Sequence, residues 1–421
     1  MAQSGGPRKC VVVGAGLAGL NCAKLLHENG HNVCVYEASD GIGGRVRTDE
    51  VEGFILDRGF QVLQTAYPAA QEALDYGQLH LVELEPGAFV RFDGKWNRMA
   101  DPKRRPRYAF RTVFNRIGEI KDRLRLLRLR AFAQRSSIEE HLSRGSDRSV
   151  AHVLREGYGF SESFIDAFMR PWLSGMFLEP DLSTSANHFH FVFKMLSQDR
   201  ISYPRDGMRS IPNQLAKGFR DRIHLETQVD EVHSNSVRLV GGEAIEADAV
   251  VVATDMSSAA RLSGEVLSRR WNSTTCRYYV AEEAPTAERS LMLNGVGPDA
   301  GPVNHVFIPT NSVPGLSPDH RSLISVSMVG EAEERDLEQR IRNQMQDWFG
   351  QKVGGWRFLA EYRIPHALPA HEPGFWKKAS FVDEDGIFRC GDYLITGSLQ
   401  GALQSGQQAA MAMLKSFHST T

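Results

Sequence analysis

The run Gly14-Ala15-Gly16-Leu17-Ala18-Gly19 constrains this chain more than any other feature of its sequence. Ahead of it, Cys10 to Val13 are apolar and mostly β-branched; behind it, Leu17, Leu20, Ala23 and Leu26 recur at helical spacing. The pattern predicts strand, tight turn, helix. In such a unit the first glycine permits the turn, the second lets backbone approach a pyrophosphate, and the third lets helix and strand pack closely, while the helix N-terminus supplies unpaired N–H groups and a positive dipole. A second predicted strand, Asn32 to Tyr36, ends at Glu37, and an acid at that tip accepts hydrogen bonds from an adenosine ribose. Gly14, Ala15, Gly16, Ala18, Gly19 and Glu37 are therefore candidate dinucleotide contacts.

A second glycine-rich turn, Gly41-Ile42-Gly43-Gly44-Arg45, bears on which dinucleotide is bound. A nicotinamide enzyme has no need of it, whereas an FAD wrapped by the chain does, and Arg45 offers charge-assisted hydrogen bonds to phosphate. With these residues the sequence resembles the superfamily of FAD-dependent amine oxidases, protoporphyrinogen oxidases and carotenoid (phytoene) desaturases, whose glutathione-reductase-like flavin fold begins with GxGxxG, an acid, then GGR. Asp57-Arg58-Gly59-Phe60-Gln61 resembles the segment that passes the flavin ring, which implies that Gly59, Phe60 and Gln61 lie there. Tyr203 to Pro212 is similar to the family's return from substrate domain to flavin domain, and Val229 stands where the family presents a backbone amide to adenine. Phe388-Arg389-Cys390-Gly391-Asp392, then Gly397 to Ala402 and Ser405-Gly406, open an alanine-rich helix. Small residues there let a helix N-terminus approach the flavin, where its dipole stabilises the negative charge of the reduced ring. The resemblance implies that Gly391, Asp392 and Leu399 touch cofactor, with Asp392 at the ribityl or phosphate region. Read without the resemblance, the same stretch is also compatible with a plain C-terminal amphipathic helix.

The fold so implied is α/β: a Rossmann-like FAD-binding domain of three ββα layers, with an inserted substrate domain of mixed sheet and helices. Residues 1–66, 203–260 and 380–421 are assigned to the first, and 67–202 and 261–379 to the second. A length of 421 residues suits two units better than one core. A charged fraction of 24% and a net charge of −2 give no global pull toward membrane or nucleic acid, and no nucleic-acid partner is expected. The five cysteines form no CxxC pair and no metal-ligand spacing, so neither disulfide framework nor metal site is expected, and a reducing cytoplasm fits best. The apolar run from Cys10 to Leu20 reads as strand and turn rather than as a secretory signal. No stretch approaches the roughly 20 apolar residues that span a bilayer.

Between Arg98 and Arg135 stand thirteen Lys/Arg against three Asp/Glu, and Val113, Ile117, Ile120, Leu124, Leu127 and Ala131 recur at helical intervals. This predicts a basic amphipathic helix over 113–131 whose apolar face either packs on the core or meets an anionic membrane, as family members that handle porphyrinogens or polyisoprenes do with this part of the chain. Phe189, Phe191, Phe193, Tyr203, Trp271, Tyr278, Tyr279 and Trp356 are read mainly as core, with a subset available to line a substrate pocket. Arg170 to Phe177 resembles a substrate-domain stretch of the porphyrinogen-oxidase branch.

Flavin oxidation needs little acid–base machinery beyond orientation and a water-poor pocket. Many amine oxidases in the superfamily place a lysine near flavin N5 on a strand of the second substrate-domain insertion; from Arg261 to Gly350 this chain has none. The departure favours dehydrogenation of a small, mainly apolar, porphyrinogen- or polyisoprenoid-like substrate by hydride transfer to N5. An amine oxidase yielding imine and hydrogen peroxide, and a non-redox FAD-dependent isomerase, are the alternatives. Oxygen or a quinone is the expected acceptor, and FAD is expected to be non-covalent because Cys390 merely packs. No catalytic base is assigned; His305, Tyr362 and His366 face either the substrate or the core.

Overall fold

The computed structural model describes residues 6–419 apart from 101–103, 105–107, 109–111, 113–114, 265–268, 333–334 and 377–378. Strand β1 (Lys9–Val13) lies at the centre of a five-stranded parallel sheet, flanked by β2 (Asn32–Tyr36) and by Ala249–Val252, with Ile223–His224 and Phe388–Arg389 at the edges. Alternation along β1 explains the layering. Cys10 and Val12 enter the core shared with α1 (Leu17–Glu28) and the final helix Leu399–Ser419, while Val11 and Val13 enter a second core with Val229, Val232 and Val237. Those valines belong to a three-stranded antiparallel sheet, so helices, parallel sheet and meander form the three layers expected.

The second large sheet has seven strands, in the spatial order 357–369, 271–281, 322–329, 305–307, 291–294, 88–92 and 95–99. Its pairings are antiparallel except that between Leu291–Asn294 and Ala88–Phe92, which makes it the mixed sheet predicted. Helices Ile120–Arg135, Arg170–Phe177 and Ala186–Gln198 accompany it.

Two sequence expectations need correction. The basic helix begins at Ile120; of the predicted apolar stripe Ile117, ahead of the helix, is buried, but the helical part faces solvent: Ile120, Leu124 and Leu127 are 66%, 66% and 59% exposed, while Leu129 and Ala133 are buried. The physical reason is Asp122. Its carboxylate closes a capping box with the Glu119 N–H (2.7 Å), accepts from the Ser161 hydroxyl (2.6 Å) and N–H (3.0 Å), and pairs with Arg125 (2.7 Å). A fully satisfied acid is stable in a buried position, and burying it turns the leucines outward. Val113, at the start of the predicted span, lies outside the described residues. The second correction concerns the eight aromatics, none of which lines the large cavity; its aromatic lining is Tyr36, Phe60, Tyr67, Trp172 and Phe307.

Candidate active site

One cavity of about 710 Å³ runs from the first glycine turn to the mixed sheet. Of the sixteen residues singled out as cofactor contacts, Gly14, Gly16, Ala18, Glu37, Gly43, Gly44, Arg45, Gly59, Phe60, Gln61, Val229, Gly391, Asp392 and Leu399 line it, and Ala15 and Gly19 do not. The two exceptions have structural roles. The Ala15 N–H donates to Glu37 Oε2 at 2.7 Å, and a Cβ on Gly19 would stand 2.1 Å from the Gly14 carbonyl oxygen. Gly14 itself has φ +109°, a backbone region that L side chains rarely adopt. Gly16 differs from both: a Cβ there would meet no protein atom within 4 Å, so its smallness leaves room for something other than protein.

The cavity is also lined by Thr227, Gln228 and Val229 and by Asp255, Ser258 and Arg261, of which only Val229 was anticipated from sequence. Asp255 caps helix Met256–Ser263, accepting from the Ser257 and Ser258 N–H groups, which ordinary capping patterns would have suggested. Glu37 accepts from the Ser39 N–H (2.9 Å) and hydroxyl (2.7 Å). Arg45 and Asp392, expected to meet cofactor separately, are paired to each other at 2.6 Å, with Arg45 also donating to the Ala367 carbonyl at 2.9 Å. Burial opposes the guanidinium charge, but Asp392 outweighs that and holds Arg45 above its ordinary pKa.

The final helix begins at the cavity wall, where Gly397, Ser398, Leu399 and Ala402 line the space. Ser398 Oγ accepts from the Gly401 N–H at 3.1 Å as an N-cap, and His371 Nε2 accepts from the Gly397 N–H at 2.5 Å. Smallness further along serves packing: a Cβ on Gly406 would meet the Ala18 carbonyl oxygen at 2.2 Å, so this glycine lets the helix rest on α1. Cys390 is fully buried and absent from the cavity wall.

Segment 57–61 crosses the seam between the two large sheets. Asp57 is buried and accepts from the hydroxyls of Thr48 and Tyr203 and from the Met208 N–H (3.0 Å), while its backbone carbonyl accepts from Tyr278. Burial outweighs these bonds and raises the Asp57 pKa to about 6. Besides Phe60, the apolar part of the lining includes Tyr67, Trp172, Met176, Leu196, Ile201 and Phe307, with Gln64, Glu85, Arg289 and Ser327 among its polar members. Strand Trp271–Ala281 contributes Thr274, whose hydroxyl donates to the Met328 carbonyl at 2.7 Å.

His305 and His366 line the cavity and Tyr362 does not. Burial lowers the His305 pKa to about 4, so the ring is neutral near pH 7. Nδ1 lies 3.2 Å from the Asn304 amide nitrogen, which puts the ring proton on Nε2, and Nε2 has no partner among the described residues. His366 stacks on Trp271 with centroids 5.0 Å apart.

Residues 17–414 match the family described as flavin containing amine oxidoreductase. The chain belongs to that family. That family is flavin-containing, and the glycine turns, the open space over Gly16 and the capped helix start fit a non-covalent FAD. An L-amino-acid oxidase from Demansia vestigiata is 23% identical over 255 residues, covering 56% of this chain and 46% of that protein. The chain thus spans about half the length of the curated relatives it matches. Cyclohexylamine oxidase from Brevibacterium oxydans IH-35A shares the fold with TM-score 0.74 at 17% identity, covering 98% of this chain and 100% of that one. A protoporphyrinogen oxidase-like protein from Exiguobacterium sp. 255-15 does so with TM-score 0.74 at 17% identity, covering 99% and 100%. Among the described residues no helix is long and apolar enough to cross a membrane, and no cluster of side chains is suited to hold a metal ion.

Proposed function

We propose that this chain dehydrogenates a small, mainly apolar substrate of porphyrinogen or polyisoprenoid character and passes the electrons to oxygen or a quinone. The observation that carries this reading is the group of aliphatic and aromatic side chains, Phe60, Tyr67, Trp172, Met176, Leu196 and Phe307, that makes much of the cavity lining, with Thr274 where its long strand reaches the cavity. FAD, when bound, would supply the hydride acceptor, at N5. The protein's part would be placement: Gly14, Gly16 and the start of α1 would hold the pyrophosphate, Glu37 the ribose, Val229 the adenine, and Leu399 and the final helix's first turn the flavin. Phe60 and the apolar chamber keep water from the reacting face. In this reading residues 1–66, 203–260 and 380–421 carry the cofactor and 67–202 and 261–379 the substrate.

A second reading, amine oxidation to imine with release of peroxide, is favoured by the family match and by the L-amino-acid oxidases among the relatives. Anaerobic mixing of the holoprotein with a porphyrinogen, polyene precursors and a panel of amines separates the two. Bleaching of the flavin by apolar substrates alone is the expected result. Bleaching by an amine, with peroxide on readmission of oxygen, would overturn it.

The exposed Ile120, Leu124 and Leu127, flanked by exposed Lys121, Arg128 and Arg135, belong to this proposal as a peripheral contact with an anionic membrane, the source of an apolar substrate.

A further inference from the structure

Eight charged residues line the cavity, and seven of them are already engaged. Glu37 accepts backbone N–H groups, Arg45 holds Asp392, Arg58 holds Asp49, Asp255 caps its helix, Arg261 faces Asp230 at 3.5 Å, and Glu85 has an interaction partner of its own. Arg289 is the exception: among the described residues its guanidinium makes no hydrogen bond and no ion pair. Its backbone, in contrast, is clamped. Glu288, paired with Arg98, accepts from the N–H groups of Arg289 (3.1 Å) and Ser290 (2.9 Å), and the Glu288 carbonyl accepts from Asn311 at 2.8 Å. The next strand begins two residues later, where Leu291 pairs with Ala88, so Arg289 enters the cavity from the mixed sheet, whose lining there also includes Leu84, Glu85, Gly87 and Leu291.

We infer that Arg289 anchors an anionic group at the far end of the substrate, so that the substrate class is a carboxylic acid with an apolar body. An exposed arginine held at its base and free at its tip matches a planar anion arriving with its apolar part in the chamber; the fork of N–H donors binds both carboxylate oxygens. The inference rests on the apolar-substrate reading and adds one end group to it.

The test uses holoprotein and three probes of equal chain length, dodecanoate, dodecanol and dodecylamine, with binding read from the perturbed absorption of bound flavin. Dodecanoate is expected to bind roughly tenfold more tightly than dodecanol at low salt, about the strength of one charge-assisted contact at a partly exposed site. Arg289→Gln should abolish that preference and leave dodecanol affinity unchanged, while Arg289→Lys retains part of it. Because Arg289 is exposed, the thermal midpoints of both variants should match that of the parent. Equal binding of acid and alcohol, tightest binding of the amine, or an acid preference that survives Arg289→Gln overturns the anchor and leaves the apolar chamber standing. Failure of dodecanol to bind at all overturns the apolar reading itself, and the anchor with it.

Discussion

The two ends of the cavity are built on opposite terms. Toward the glycine turns Glu37, Arg45 and Asp392 all have protein partners and several backbone segments approach so closely that no Cβ fits between them; toward the mixed sheet much of the lining is apolar, and among the described residues His305 Nε2 and the Arg289 tip have no partner. The contrast shows where specificity resides. A cofactor that never changes is met by rigid backbone, whereas a substrate is met by unfilled space and a few unspent donors.

The largest effect expected from that contrast separates two neighbouring glycines. Gly19→Ala forces a Cβ to 2.1 Å from the Gly14 carbonyl and 3.0 Å from Ala253 Cβ, so the turn or the helix must shift, at a cost of about 3 kcal/mol or more. Gly16→Ala meets no protein atom and should leave the apoprotein's denaturation midpoint unchanged while lowering FAD affinity at least tenfold, about 1.4 kcal/mol. Urea unfolding of the apoproteins and FAD titration check both. Equal FAD affinity for Gly16→Ala and parent would remove Gly16 from the cofactor site.

A smaller effect concerns the seam. Asp57 has a folded-state pKa of about 6, above its unfolded value, so the native state holds this proton more tightly than the unfolded chain does. The favourable contribution is therefore complete below the unfolded pKa and disappears as pH rises through about 6. Across that window this group alone should lower stability by about 1.4 kcal/mol per pH unit, some 2–3 kcal/mol in all. Asp57→Asn, which keeps the oxygen facing Met208 and Thr48, should flatten that component of the urea-denaturation profile between pH 4 and pH 6.5. A profile of unchanged slope would show that Asp57 does not titrate there.

The same division governs what was legible in the sequence. Turn, helix and acid at the cofactor end lie within thirty residues, and each obeys a local rule of backbone geometry, so Gly14 to Gly44 could be read directly. The C-terminal half of the site, Asp392 and Leu399 included, was found through resemblance rather than periodicity. The chamber was not legible because Tyr67, Trp172, Leu196 and Phe307 come from separate elements and share only the property of being apolar, which core residues share as well. Arg289 has no sequence signature at all; its distinction is that its guanidinium has no partner among the described residues. His305 was named but left between two roles, since burial and an unpaired Nε2 are properties of the folded chain.

The smallest effect tests the helix whose phase the sequence misled. Spacing alone makes Ile120, Leu124 and Leu127 a stripe as good as Leu126, Leu129 and Ala133, and the acid at Asp122 argues against the second one. Ser161 and the capping box reverse that by satisfying Asp122 inside the protein. Leu124→Gln should therefore change folding stability by less than about 0.5 kcal/mol, as exposed substitutions do. It should still weaken sedimentation with vesicles of anionic phospholipid, because the loss falls on a face available to lipid rather than on the core. A loss of 2 kcal/mol or more, the scale of a buried leucine truncation, would put Leu124 back in the core and end the membrane contact. Unchanged stability with unchanged vesicle binding would leave the stripe exposed and assign it no lipid.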